Sequence, residues 1–486
     1  KNILAIIFGV RLTLQMSLTL HILVVRFLYR YDIPIGVIMN KNFINKIYDK
    51  ISLNPPLVLS LGFAILITIG GVLLSLPFFT NSGETTDLID SMFVAASASC
   101  VTGLTPVNTL EHWNTYGHVL IIILIQIGGL GVMSLASIIP LILGKKIGMK
   151  SRQILKEQLN VESLEGMIVL FKYVLVFTFG TEILGAILLS IKFIPMYGAG
   201  RGVWVAIFHS ISAFCNAGFD ILGDSLYPLR SDLLVNLTLS ALVIVGGLGF
   251  VVTNELFRRR SFKNISTHSK LVLMVSGILL VLGTIMFLLL EGGDGVLQHE
   301  GVKGSILESF FQSVVARTAG FYSVNLANIK DSTALMLMGL MFVGGSPGST
   351  AGGIKTTTLG VLFLSTHAVT RGEREPVVFG RHIGTEIIRK ALAIFLVSIT
   401  IILSVSFILT ITESAPLVDI LYETVSALAT VGASKGITPD LTDIGKVLIT
   451  FCMYLGRLGP MTMAFAFGMK DKKSLIRYPE SFISIG

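Results

Sequence analysis

The chain has 486 residues, 52% of them hydrophobic and only 14% charged, with a formal net charge of +8. A soluble domain carries about 25% charged residues, so composition alone points to an integral membrane protein. The three cysteines, Cys100, Cys215 and Cys452, exclude a disulfide framework and show no zinc spacing.

Apolar stretches of about 20 residues read as membrane-spanning helices. There are eight in chain order, at 55–79, 116–143, 167–191, 232–257, 271–290, 332–367 (broken), 391–412 and 443–468. Ahead of them, Ile3–Leu28 is apolar but carries Arg11, His21 and Arg26. It reads as a ninth span, an interfacial helix or an upstream extension, and it lacks the small-residue cleavage site of a signal peptide. Met39 opens a basic, proline-stopped stretch that reads as a natural cytoplasmic start for the first span.

Lys and Arg collect on alternate connections. Segments 145–156, 258–270 and 371–390 hold five each and 470–477 holds four, whereas 81–90 and 413–418 hold none, 291–305 one and 192–203 two. By the positive-inside rule the basic group faces the cytoplasm. The excess positive charge therefore reads as membrane topology rather than as a nucleic-acid patch.

Between the spans one stretch recurs four times: Ser91–Asn108, Ala206–Leu222, Ser309–Leu326 and Ile420–Thr438. Aligned on Gly103, Gly218, Gly320 and Gly432, each copy has an aromatic ten residues upstream: Phe93, Phe208, Phe310 and Tyr422. Some 24 to 28 residues beyond comes a second signature, at Gly128-Gly129, Gly246-Gly247, Gly344-Gly345 and Gly456-Arg457. Repeats decide a fold before anything else. The expected architecture is an all-α membrane protein of four units, each helix–re-entrant loop–helix, arranged pseudo-fourfold around a central path. The expected bounds are 55–143, 144–257, 258–367 and 368–470, with a start at 1–54 and a tail at 471–486.

Irregular backbone at membrane depth must face protein or a water-filled cavity, because each unpaired N–H or C=O costs several kcal/mol in lipid. Four such segments can aim carbonyl rings at an axis and replace a cation's hydration shell without burying a full charge. Glycine suits the positive φ this needs. The candidate ion ligands are Val101, Thr102, Gly103, Asn216, Ala217, Gly218, Thr318, Ala319, Gly320, Thr430, Val431 and Gly432. The competing reading is close helix packing through small residues; recurrence with an aromatic in register argues against it.

The sixth span carries Gly344, Gly345, Ser346, Pro347, Gly348, Ser349, Thr350, Ala351, Gly352 and Gly353 ahead of Lys355. Proline and repeated glycine force a break there. A nucleotide loop fits poorly, since Ile354 stands where a phosphate-binding lysine is required. Arg457 falls in register with Gly129, Gly247 and Gly345; an intramembrane arginine faces the interior, either as a barrier in the path or in an ion pair, with Glu255 a candidate partner.

These units, the strings Val101-Thr102-Gly103, Thr318-Ala319-Gly320 and Thr430-Val431-Gly432, the break at 344–353 and the Gly456-Arg457 pair resemble the Trk/Ktr/HKT superfamily, and most the membrane subunit of bacterial Ktr systems. The resemblance covers Met39 to Gly486. It implies potassium uptake across a bacterial plasma membrane, sodium acting as an activator in the Ktr branch. It also implies a homodimer with one path per protomer, a cytosolic nucleotide-binding regulatory ring of the RCK type, a mobile intramembrane loop as gate, and no organic cofactor or nucleic-acid partner. Glycine in all four repeats is similar to the potassium-selective members. The alternatives are an alternating-access secondary transporter, which commonly uses inverted repeats, and a membrane enzyme, for which His112, His118, His209, His268 and His367 offer no convergent spacing.

Overall fold

The computed structural model describes residues 55–131, 167–259, 261–298, 301–373 and 375–459, with 153, 156, 462 and 463. Residues 1–54, most of the 132–166 connection and the tail beyond 463, including the expectations placed on them, lie outside the described residues. Contacts divide the chain into two compact units, Lys1–Pro55 and Pro56–Gly486, and the helical bundle is the second.

Among the described residues, four helices are long and apolar enough to cross a membrane: α1 (Pro55–Leu74), α4 (Met167–Tyr197), α8 (Thr267–Glu291) and α12 (Thr385–Thr412). Each is followed by a shorter helix: α2 (Leu88–Cys100), α5 (Ala199–Phe214), α9 (Val302–Val315) and α13 (Leu417–Leu428). A second span comes next in each case. It is α3 (Thr115–Leu130), α6 (Leu233–Gly247) continued by α7 (Phe250–Arg259), α10 (Asp331–Phe342) continued by α11 (Thr356–Thr370), and α14 (Asp443–Leu458). Asn114, Asp232 and Thr442 start three of these with side-chain oxygens that accept from exposed N–H groups of the first turn.

Packing runs in a cycle. The short helices α5, α9 and α13 each touch the second span of the preceding unit, α3, α6 and α10, and α2 touches α14. Lys446 on α14 ties the fourth unit to the first through Asp90 at 2.6 Å. The short helices are buried through small side chains: Ala95, Ala96 and Ala98 on α2 are fully buried, as are Phe93, Phe208 and Tyr422. In the third unit the fully buried aromatic is Phe311, one residue later than the expected Phe310.

Two departures from the expected architecture stand out. The span expected as one helix over 232–257 bends by 100° between α6 and α7. Gly249 causes it, ending α6 with φ 89°, a conformation open mainly to glycine. The described residues are otherwise helical, as the expected all-α class requires, with one short exception. The basic segment 371–390 holds a two-residue antiparallel hairpin, β1 (Val377–Val378) and β2 (Arg381–His382). Phe379 and Gly380 turn it with positive φ at both positions, as a two-residue hairpin requires.

Candidate functional site: a ring of four glycines

Each short helix ends in the same strained way. The residues two before the ring glycines, Val101, Asn216, Thr318 and Thr430, have φ of 59°, 60°, 76° and 52°. A left-handed conformation costs an L-residue about 1–2 kcal/mol, and three of these four are β-branched. Hydrogen bonds offset part of it. Thr102, Ala217 and Val431 donate back to the carbonyls of Ser97, Ser212 and Ser426, each at 2.8 Å. The Ser97 and Ser426 hydroxyls accept from the Gly103 and Gly432 N–H groups at 3.0 and 3.1 Å, and Ser212 donates to Phe219 O at 2.8 Å. The third unit differs: Val314 occupies that position, and Ala319 donates to Val315 O instead. Sequence reasoning missed these serines, although their fixed place six residues before the glycine was a readable signal.

The four glycines close a ring. A Cβ on Gly103 would stand 2.6 Å from Ala217 O, on Gly218 2.5 Å from Ala319 O, and on Gly320 2.6 Å from Val431 O. On Gly432 it would overlap Thr102 O, which returns the cycle to the first unit. Every glycine thus abuts the carbonyl just ahead of the glycine in the next unit. Positive φ at all four, between 67° and 107°, permits this approach. The eight preceding residues, Val101, Thr102, Asn216, Ala217, Thr318, Ala319, Thr430 and Val431, are all buried. A cavity of about 580 Å³ opens on one side and is lined by all four glycines together with Asp220, Asp224, Tyr322 and Lys435. Lys435 does not stand free there, since Asp419 holds it at 2.7 Å.

The second-span glycines explain how the short helices come so close. A Cβ on Gly128, Gly246 or Gly456 would overlap Ser99 O, Phe214 O or Leu428 O, each four residues before its ring glycine. In the third unit Gly344 instead abuts Gly352 O and the Thr318 methyl.

The break between α10 and α11 is a loop, 343–355, folded against this assembly. Its internal bonds are few, among them Ser349 Oγ to Ser346 O at 2.7 Å and Lys355 Nζ to Ala351 O at 2.8 Å. The bent second span supplies the rest. Ser346 and Thr350 donate to Gly247 O and Gly246 O at 2.9 and 3.3 Å, and Phe250 donates to Gly348 O at 2.9 Å. The Thr350 hydroxyl reaches Phe214 O at 3.0 Å, and Asn216 Nδ2 donates to Thr318 Oγ1 at 3.2 Å. Gly345 O accepts from Thr356 N at 3.1 Å. Gly352 leaves no room for a side chain beside Thr430 Oγ1. Thus the left-handed residues of units two, three and four all face the loop.

Arg457 clamps that loop. Its guanidinium donates to Thr350 O and, on the first unit, to Gly128 O and Gly129 O, the last at 3.0 Å. The ion pair with Glu255 is absent: Glu255 accepts instead from Ser266 N at 2.9 Å. Lys355 Nζ donates to Ala351 O at 2.8 Å. Sequence reasoning did not single out Arg317, which precedes Thr318 and donates to Ser276 Oγ at 3.2 Å and to Gly344 O at 3.4 Å. A second cavity, about 390 Å³, is lined by Gly348, Ser349, Ala351, Gly353, Ile354, Lys355, Lys390 and Arg457 among others. It touches none of the ring glycines, and its described lining includes three cations and no carboxylate.

Comparison with known proteins decides the family. The model of the TrkH family, described as cation transport proteins, matches residues 37–477. The chain belongs to the TrkH family of cation transport proteins. It is 44% identical over 444 residues to the potassium/sodium uptake protein NtpJ of Enterococcus hirae, covering 89% of this chain and 98% of that one. It is 42% identical over 443 residues to the Ktr system potassium uptake protein B of Bacillus subtilis, with 91% and 99% covered. Among solved structures, the potassium transporter TrkH of Vibrio parahaemolyticus superposes with a TM-score of 0.66 at 19% identity, over 84% of this chain and 83% of that one. That likeness carries the fold. The TrkH family is one of membrane transporters, not enzymes, and the four long apolar helices agree with membrane insertion.

Proposed function

We propose that the chain takes up potassium across a bacterial plasma membrane, through the ring of Gly103, Gly218, Gly320 and Gly432. The observation that carries this reading is the closure of the ring, in which each glycine makes room for a carbonyl of the next unit. Carbonyl rings supply a dehydrated K⁺ with oxygens, and helix C-termini add partial negative charge beneath them. The ligands are the backbone oxygens of Val101-Thr102-Gly103, Asn216-Ala217-Gly218, Thr318-Ala319-Gly320 and Thr430-Val431-Gly432. On this reading the 580 Å³ cavity faces outward and the basic connections face the cytoplasm.

Loop 343–355 is the gate, with Arg457 and Lys355 as its electrostatic part. A cation ~8 Å from one of them is repelled by roughly 2 kcal/mol at an effective dielectric constant of about 20. Two such groups without an opposing carboxylate make the second cavity unfavourable to K⁺ while the loop is in place. A cytosolic nucleotide-binding ring on the basic connections would bias the loop, and sodium would act as activator, in keeping with the resemblance to Ktr membrane subunits. The same resemblance supports a homodimer with one path in each chain. The four units 55–143, 144–257, 258–367 and 368–470 are the functional modules, with 1–54 and 471–486 outside the path.

The test is flux from proteoliposomes holding the purified chain, with K⁺ and Na⁺ compared. A passive K⁺ flux well above the Na⁺ flux, raised by the cytosolic ring, is the expected result. Flux that does not distinguish the two ions, or strict exchange of one solute for another, would overturn it.

A further inference from the structure

The bend after α6 sets α7 at 100° to it, which, with the orientation proposed from the basic connections, lays α7 along the membrane surface. Its last turn carries Arg258 and Arg259, both exposed, in the sequence run Arg258-Arg259-Arg260. Phe257 beside them is 65% exposed yet packs edge-on against Phe177 of α4, with centroids 5.8 Å apart. Phe177 in turn stacks on Tyr173 at 5.3 Å. One turn away on α4, Lys172 is exposed between Val169 and Val176, which are 57% and 76% exposed. The corner between α4 and α7 therefore joins three exposed cations to an apolar, aromatic strip. The acid on α7, Glu255, accepts from Ser266 N and also lies close enough to Arg259 to interact with its charge, while the Arg259 guanidinium donates to Asn264 O; among the described residues neither Lys172 nor Arg258 has a carboxylate partner.

We propose that this corner binds the headgroup of an anionic phospholipid. The phosphate sits among Lys172, Arg258 and Arg259, and an acyl chain lies along Val169, Val176 and Phe257. Charge complementarity selects the partner: anionic headgroups attract basic residues at a membrane surface, and aromatic rings settle at headgroup depth. The consequence reaches the gate, and this step rests on the reading of loop 343–355 given above. Phe250, the first residue of α7, donates to Gly348 O, and Gly247 at the end of α6 accepts from Ser346 N. A lipid that holds α7 in the membrane plane keeps in place the surface on which the loop is bonded.

The experiment uses the full chain in mixed phosphatidylcholine and phosphatidylglycerol bilayers. Native mass spectrometry reads retained phosphatidylglycerol for the parent, for K172Q/R258Q/R259Q and for a control, R381Q. Each basic residue at a surface favours an anionic lipid by about fivefold, so retention should fall by about a hundredfold in the triple variant and be unchanged in the control. K172R/R258K/R259K should restore it. Should the triple variant fail to fold, the parent's retention must still fall steeply with salt. Retention in the triple variant equal to the parent's, or salt-independent retention, would overturn the site. Flux is read separately: phosphatidylglycerol should lower it in the parent and not in the triple variant. A flux difference seen only with the cytosolic ring present would assign the corner to a protein partner and overturn the lipid proposal. Because retention is measured without transport, loss of K⁺ selectivity in the parent would refute the ion path while leaving the lipid site standing.

Discussion

Replacing Gly432 by serine tests the ring most severely. Its φ of 91° lies where a side chain costs about 1–2 kcal/mol. The added Cβ would overlap Thr102 O and stand 2.8 Å from Thr102 C and 2.9 Å from Gly103 Cα. All three are backbone atoms, so no side chain can swing away, and the backbones of the first and fourth units must separate there. With displacement of the Thr102 carbonyl added, the loss of K⁺ binding is roughly 2–3 kcal/mol, about 30-fold to 150-fold in K⁺ preference. The assay is the ratio of K⁺ to Na⁺ flux in proteoliposomes. Gly436→Ser is the matched control: its φ is 103°, but nothing lies within 4 Å of an added Cβ. It carries the same conformational cost and should lower thermal stability by about 1–2 kcal/mol without changing the ion ratio. A ratio in Gly432→Ser within twofold of the parent, or an equal collapse in Gly436→Ser, would refute the reasoning.

The other three ring glycines should behave alike, so Gly103→Ser, Gly218→Ser and Gly320→Ser should each reduce K⁺ preference or uptake in the same assay. Ser97→Ala or Ser426→Ala strips the acceptor from a ring N–H and should cost about 1–3 kcal/mol of stability, read by thermal unfolding, along with some selectivity. Removing part of Gly345–Gly353, or making Arg457→Ala, should raise flux and weaken dependence on the cytosolic ring while the ion ratio holds; a folded deletion protein with unchanged flux places the gate elsewhere. Cysteines at Ser82 and Gly293 should be labelled from outside and one at Ser261 only from inside, which checks the orientation drawn from the basic connections.

Much of this site was legible because its signals are local. A glycine at each repeat, a basic cluster on alternate connections and a proline among glycines can all be read along the chain. What was not legible depends on contacts distant in sequence. Gly128-Gly129-Leu130-Gly131 and Gly246-Gly247-Leu248-Gly249 have the same pattern, and Gly131 and Gly249 both take positive φ. After Gly249 the next residue, Phe250, is bonded to a loop some hundred positions away. The register of the third unit was also hidden, since Phe310 and Phe311 are adjacent and only packing chooses Phe311 for the core. The alignment placed Arg457 beside the other second-span glycines, but its acceptors, Thr350 O and Gly128 O, are backbone oxygens that sequence cannot rank above a carboxylate. The left-handed valine and threonines could not be foreseen, because local propensity opposes them and the surrounding packing overrides it.

The two broken second spans account for each other. Ending α6 at Gly247 leaves carbonyls without helical partners, and opening the sixth span at Val343 frees N–H groups. Ser346 and Thr350 join the two sets, so neither break is stranded in the membrane interior. A loop satisfied this way differs from one that is merely disordered. Each bond it gives up on opening is exchanged for water in the adjoining 390 Å³ cavity, at a net cost of about 0.5–1.5 kcal/mol. Three backbone bonds, the Thr350 hydroxyl and the Arg457 clamp then sum to a few kcal/mol. With loop 343–355 as the proposed gate, that is enough to keep the path blocked most of the time, and small enough for ligand binding at the cytoplasmic face to reverse. On the proposed reading, pairing two breaks makes the gate both stable in lipid and adjustable, whereas a single broken helix would achieve only one of these.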